Sequence, residues 1–258
     1  MTYEGMLAET VAFRGHNGDV GEAYYARPLG GGPWPGVVLI HHMPGWDWWI
    51  KEATRTLAYR GFATISPHLY FREGPGSPDD VGARVRAAGS VADAQVIGDV
   101  AGAMEYLRAQ PYANGKAGVI GFCSGGRHTY LVACSLAGVD AAVDCWGGNV
   151  IVDDAKLLNA KRPVAPIDLT ERMHCPLLGL FGNDDENPNR DQVNRTEAVL
   201  KKLGQDLRVP PLRRRRSRLL QRGASGLSAG AGARRLEQGL CLLPEASRHG
   251  GRGARGLI

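Results

Sequence analysis

The sequence predicts a doubly wound α/β domain, a mostly parallel sheet with helices on both faces. Three observations lead there. Short, continuous apolar runs recur along the first 206 residues, helical periodicities fall between them, and one run ends in a glycine-rich turn that opens a helix. Taken in order, Gly36 to Ile40 is the first such run, after a Gly/Pro-rich turn, and Trp48 to Tyr59 the first helical pattern. Phe62 to Ser66 follows as a strand, then Ser90 to Arg108 as a long helix. Ala117 to Gly121 is the strand before the turn, and Gly125 to Leu136 the helix after it. Val139 to Val143 and Leu177 to Phe181 complete the strands, and Gln192 to Leu203 is the last clear helix. Strands apolar on both faces need covering on both sides, which is what alternating helices provide.

Composition narrows the class further. The chain has 258 residues, 43% hydrophobic and 22% charged, ordinary for a globular protein with one sizeable core. Five cysteines are an odd, sparse count that suits no disulfide framework. No apolar run reaches the ~18 residues of a membrane span. Met1 to Gly5 shows no basic segment leading into an apolar one, so a reducing, cytoplasmic setting is expected. His41, His42, His68 and His128 are too scattered for a metal cluster, and neither metal nor organic cofactor is expected. There is no internal repeat.

The sharpest local feature is Gly121-Phe122-Cys123-Ser124-Gly125-Gly126. It has the Gly-x-nucleophile-x-Gly spacing of a nucleophile elbow, with cysteine as the nucleophile. A side chain perched on so tight a turn needs small neighbours two residues away. The helix that opens there aims backbone N–H groups and its positive dipole end at the sulfur, which favours the thiolate. The N–H of Ser124 can also face a developing oxyanion. Cys123 reads equally as a small buried residue before a Gly-rich helix start; the strand–turn–helix setting favours the nucleophile.

With Gln110-Pro111-Tyr112-Ala113-Asn114-Gly115-Lys116 ahead of it, this elbow resembles that of the dienelactone hydrolases (carboxymethylenebutenolidases). The likeness runs from about residue 10 to 206 and is supported by Pro67-His68-Leu69-Tyr70 and Phe181-Gly182-Asn183-Asp184-Asp185. It implies an α/β hydrolase with a Cys–His–Asp triad acting on a small ester or lactone. Asp185 is then the triad acid, favoured over Asp184. The oxyanion loop is His41 to Asp47, with the Met43 N–H as second donor. The resemblance implies a glutamate where His42 stands, so His42 is either a partner of the cysteine or a structural loop residue. Trp46, Trp48 and Trp49 wall the pocket or pack a helix. Arg84 and Arg86, in a loop-rich stretch before the long helix, are candidates for holding a substrate carboxylate. Neither a nucleic acid nor a membrane is expected as partner, and the oligomeric state is open.

Residues 207–258 break the pattern. They carry 12 arginines, no lysine and two acids, whereas the rest of the chain has five more acids than bases. They contain no Lys, Asp, Asn, Thr, Phe, Tyr, Trp or Met. The histidine that completes the triad is implied in a Gly-Ala-Gly-His turn some 40 residues past the acid, yet the only histidine after residue 206 is His249. Codons permitted for Leu207 to Gln221, read one base later, spell Tyr-Glu-Phe-His-Arg-Tyr-Asp-Gly-Ala-Gly-His-Ala-Phe-Phe. That is the missing strand and the missing turn. Residues 1–206 are therefore expected to form the hydrolase domain, and 207–258 an out-of-frame, disordered tail that lacks the last strand, the last helix and the triad histidine. Loss of activity follows, with a non-catalytic binding protein or an Arg-rich nucleic-acid binder as the alternatives.

Overall fold

A computed structural model describes residues 5–182, 184–204 and 207–208. Its strands are β1 (Met6–Arg14), β2 (Val20–Pro28), β3 (Trp34–Ile40), β4 (Ala63–Pro67), β5 (Ala113–Phe122), β6 (Ala142–Cys145), β7 (Leu177–Leu180) and β8 (Leu207–Arg208). Its helices are α1 (Trp48–Tyr59), α2 (Pro78–Ala87), α3 (Asp93–Arg108), α4 (Ser124–Ser135) and α5 (Arg190–Lys202). The strands form one sheet in the order β1-β2-β4-β3-β5-β6-β7-β8. β1 and β2 run antiparallel, and all pairings from β4 to β8 are parallel.

The core divides along the pleat. In β3, Val38 and Ile40 join one buried cluster with Val96, Val100, Met104 and Leu107 of α3 and Tyr130 of α4. Val37 and Leu39 join the other, with Ile50, Ala53 and Leu57 of α1. Successive side chains of a strand point to opposite faces, so a continuous apolar run is the signature of a strand covered on both sides. The five expected strands and four expected helices are all present.

The differences have local causes. β1 and β2 escape a search for continuous apolar runs because they are half exposed; β2 alternates buried and exposed positions over much of its length. β6 begins at Ala142, three residues later than expected; Asp140, ahead of it, is bonded to β5 through its carboxylate, to Lys116 and the Ala117 N–H, and through its own N–H. The stretch taken as loop before the long helix contains α2, capped by Ser77, with Pro78 in its first turn. The expected loss of the last strand is corrected to this extent: Leu207 and Arg208 pair with Leu177 and Leu178, two residues past the expected boundary at 206. The remaining expectations for the tail, its reading frame and disorder included, lie outside the described residues.

Candidate active site

The parallel strands deliver the loops after β3, β5, β6 and β7 to one rim of the sheet, where α/β proteins place their ligands. Cys123 follows β5 directly and caps α4, with φ 54° and ψ −115°. A non-glycine residue held there costs of order 1–3 kcal/mol and persists only where its surroundings enforce it. The enforcement is visible. The Cys123 N–H donates to the Cys145 carbonyl at 3.0 Å, and its own carbonyl accepts from Gly126 and Arg127. A β-carbon on Gly121 would strike the Gly125 carbonyl oxygen, and one on Gly125 would strike that of Ile40. The small residues of the motif are thus required by contact.

Cys123 is half-buried, whereas Cys134, Cys145 and Cys175 are buried. Burial pushes the Cys134 thiol up to about 12, that of Cys175 to about 11, and that of Cys145 well above the ordinary value. Those three sulfurs are inert at neutral pH. No side chain caps α4; the N–H groups of Gly126 and Arg127 in its first turn are taken by the Cys123 carbonyl instead.

The loop expected to carry an oxyanion donor, His41 to Asp47, leaves β3 beside the Cys123 turn, since Ile40 pairs with Gly121. His41 Nε2 accepts from the Leu69 N–H at 3.2 Å, so Nδ1 carries the proton and donates to the His42 carbonyl at 2.8 Å. Burial keeps this imidazole neutral, with its pKa near 3. His42 is bonded through Nε2 to Asp47 at 2.8 Å and stacked on Trp49 at 5.5 Å. Asp47 in turn caps α1 by accepting from Ile50. Burial alone would raise the Asp47 pKa; the bonds from His42 and Ile50 outweigh it and hold the carboxyl below its ordinary value. His42 therefore braces the loop that presents Met43.

Asp185 is half-buried and accepts from the Gly182 N–H at 2.9 Å, while Asp184 is exposed. Its loop follows β7 and is tied to the β6 loop through Asn187 and Asn149. Trp46 stacks on His68 at 5.2 Å under the Lys51 ammonium and so packs against α1 and β4; Trp48 is exposed. Arg84 and Arg86 belong to α2, which corrects their placement in a loop. Arg84 is spent on the carbonyls of Glu73, Gly74 and Pro75, while Arg86 is exposed.

Three groups here escaped sequence reasoning. Tyr70 is buried, with its hydroxyl directed at the Met43 sulfur. Arg162 reaches from the β6–β7 connection to the Ser90 hydroxyl, beside the buried Arg127–Asp93 pair. Asp144, fully buried at the end of β6, accepts from Gly147, and burial raises its pKa to about 7. Tyr70 stood in a quoted motif, but nothing in its spacing signals proximity to the elbow. Among the described residues no group of three or more His, Cys, Asp or Glu could hold a metal.

Comparison with known proteins agrees with this architecture. The sequence model of the dienelactone hydrolase family matches residues 22–210. A carboxymethylenebutenolidase of Pseudomonas putida is 32% identical over 164 residues, 61% of this chain and 69% of its own. An Escherichia coli K12 protein provisionally given the same name is 33% identical over 191 residues, 71% of this chain and 67% of its own. The crystal structure of a provisionally named dienelactone hydrolase from Klebsiella pneumoniae superposes with a TM-score of 0.79 at 24% identity, covering 95% of this chain and all of that one. With the elbow, the sheet order and the matched span in agreement, this chain belongs to the dienelactone hydrolase family, α/β hydrolases of ester and lactone substrates.

Proposed function

We propose that this protein opens esters or lactones of small carboxylic acids with Cys123 as nucleophile. The Cys123 thiolate adds to the carbonyl carbon, and the π electrons move to oxygen. The N–H groups of Met43 and Ser124 receive that oxyanion, and collapse expels the alcohol as a thioester forms. A histidine oriented by Asp185 would protonate the leaving group and activate water for deacylation. The observation that carries the reading is the strained backbone of Cys123 between β5 and α4, on the one half-buried thiol among four described cysteines.

The sequence past residue 206 supplies no histidine in the expected turn, which supports slow deacylation and little turnover in this chain. A p-nitrophenyl ester tests both parts, because its leaving group needs no proton. The expected result is a burst of about one equivalent of nitrophenolate followed by near-stalled turnover, with the burst abolished in Cys123→Ala. A burst that survives Cys123→Ala contradicts the nucleophile. Rapid turnover that Cys123→Ala abolishes contradicts the loss of deacylation.

A further inference from the structure

The Tyr70 ring is buried at the base of the oxyanion loop. It packs edge-on against His41, with ring centroids 4.5 Å apart, and lies where a β-carbon on Gly45 would meet it at 3.1 Å. Its hydroxyl donates to the Met43 sulfur at 3.7 Å, and a thioether is a weak acceptor that holds the proton loosely. Ser124 adjoins the same hydroxyl, and its own Oγ is buried without a formed hydrogen bond. Tyr70 thus touches both residues whose backbone N–H groups bracket the reacting carbonyl. Positive charge lies behind it. Arg127 has its acid in Asp93, bonded at 2.7 and 3.0 Å. Arg162 has only the Ser90 hydroxyl as a described hydrogen-bond partner, and its Nε is buried without one. This surplus guanidinium and Arg86 both act on Tyr70.

Resting on the nucleophile reading above, we propose that the Tyr70 hydroxyl is a third hydrogen-bond donor to the oxyanion formed when Cys123 attacks. As the carbonyl π pair moves onto oxygen, the hydroxyl exchanges its thioether acceptor for the anion, and no proton is transferred. The phenol is protonated at neutral pH, and burial pushes its pKa further up, to about 12. A donor aimed at a charge that exists only in the transition state raises the rate without tightening substrate binding.

The test separates this role from a structural one by using two reactions of the same sulfur. Acylation by p-nitrophenyl acetate passes through an oxyanion; alkylation by iodoacetamide, at a saturated carbon, does not. Tyr70→Phe is expected to slow the nitrophenolate burst by about 10²-fold, the loss typical of one oxyanion donor, with the alkylation rate of Cys123 unchanged. Equal slowing of both reactions, or no slowing of the burst, overturns the proposal. Should Tyr70→Phe fold poorly, Tyr70→3-fluorotyrosine, which keeps the donor, is expected to retain the burst, and its loss there also overturns the proposal. A wild-type protein that alkylates at Cys123 but gives no burst refutes the oxyanion role and leaves the nucleophile standing. A protein that does neither refutes both.

Discussion

At the residue scale, several buried groups around Cys123 stay uncharged in the fold. His41 and His128 are fully buried, and burial keeps both imidazoles neutral, the second with its pKa well below the ordinary value. Each takes up a proton on unfolding below its unfolded pKa of about 6.5, so each makes the fold less stable as pH falls through that value. Asp144 acts in the opposite sense. With its pKa raised to about 7, it holds a proton in the fold that the unfolded chain releases, so its contribution is present at low pH and fades as pH rises from about 4 to 7. Burial lowers the His68 pKa as well, so between about pH 5 and 6 the three imidazoles together outweigh Asp144 and stability should fall on acidification. Asp144→Asn removes the opposing proton and should steepen that slope by about 1.4 kcal/mol per pH unit, as urea denaturation at several pH values would show. A slope unaffected by the substitution contradicts the protonated Asp144. The tight turn at Cys123 was legible in the sequence because it is written in consecutive residues. Its neighbours Tyr70, Arg162 and Asp144 were not, because they come from chain segments brought together only by folding.

At the element scale, two attachments hold the segments around Cys123. Asp47 caps α1 and fixes His42 at once. Asp47→Ala should cost about 1 kcal/mol as a lost cap, measurable as a shift in the denaturation midpoint. Because the Met43 loop is loosened as well, the acylation burst should slow beyond what the stability change explains; an unchanged burst rate would show that the brace is dispensable. The second attachment is the Asp93–Arg127 pair, which joins the first turn of α3 to α4 just beyond the elbow. Both side chains are at least nine-tenths buried. Asp93→Ala strands a guanidinium in the interior and should destabilise the protein by about 3–5 kcal/mol, whereas exchanging both residues for apolar ones of similar volume should cost far less. Similar losses in the two variants would mean that the charges do not matter. The central helices and strands were legible because their apolar periodicity is strong. β1, β2 and α2 were not, because half-exposed elements mix polar and apolar residues.

For the whole molecule, charge and sheet order are the governing features. Residues 1–206 are net acidic and residues 207–258 strongly basic, an asymmetry that favours attraction between unlike segments of different molecules at low salt. Light scattering at low ionic strength should report association that about 0.5 M salt reverses, since screening then acts within a few ångströms. Persistence in salt would point instead to apolar contacts. The fold class was legible from strand–helix alternation alone, but the order of strands in the sheet was not, because pairing partners far apart in sequence leave no local trace.

That sheet order has a practical corollary. Every parallel strand delivers the loop at its C-terminal end to the same rim, so the opposite rim, where Asn114 and Gly115 open β5, lies at the far end of that strand from Cys123. A linker grafted there for immobilisation on a bead or electrode would turn the Cys123 rim toward the bulk liquid.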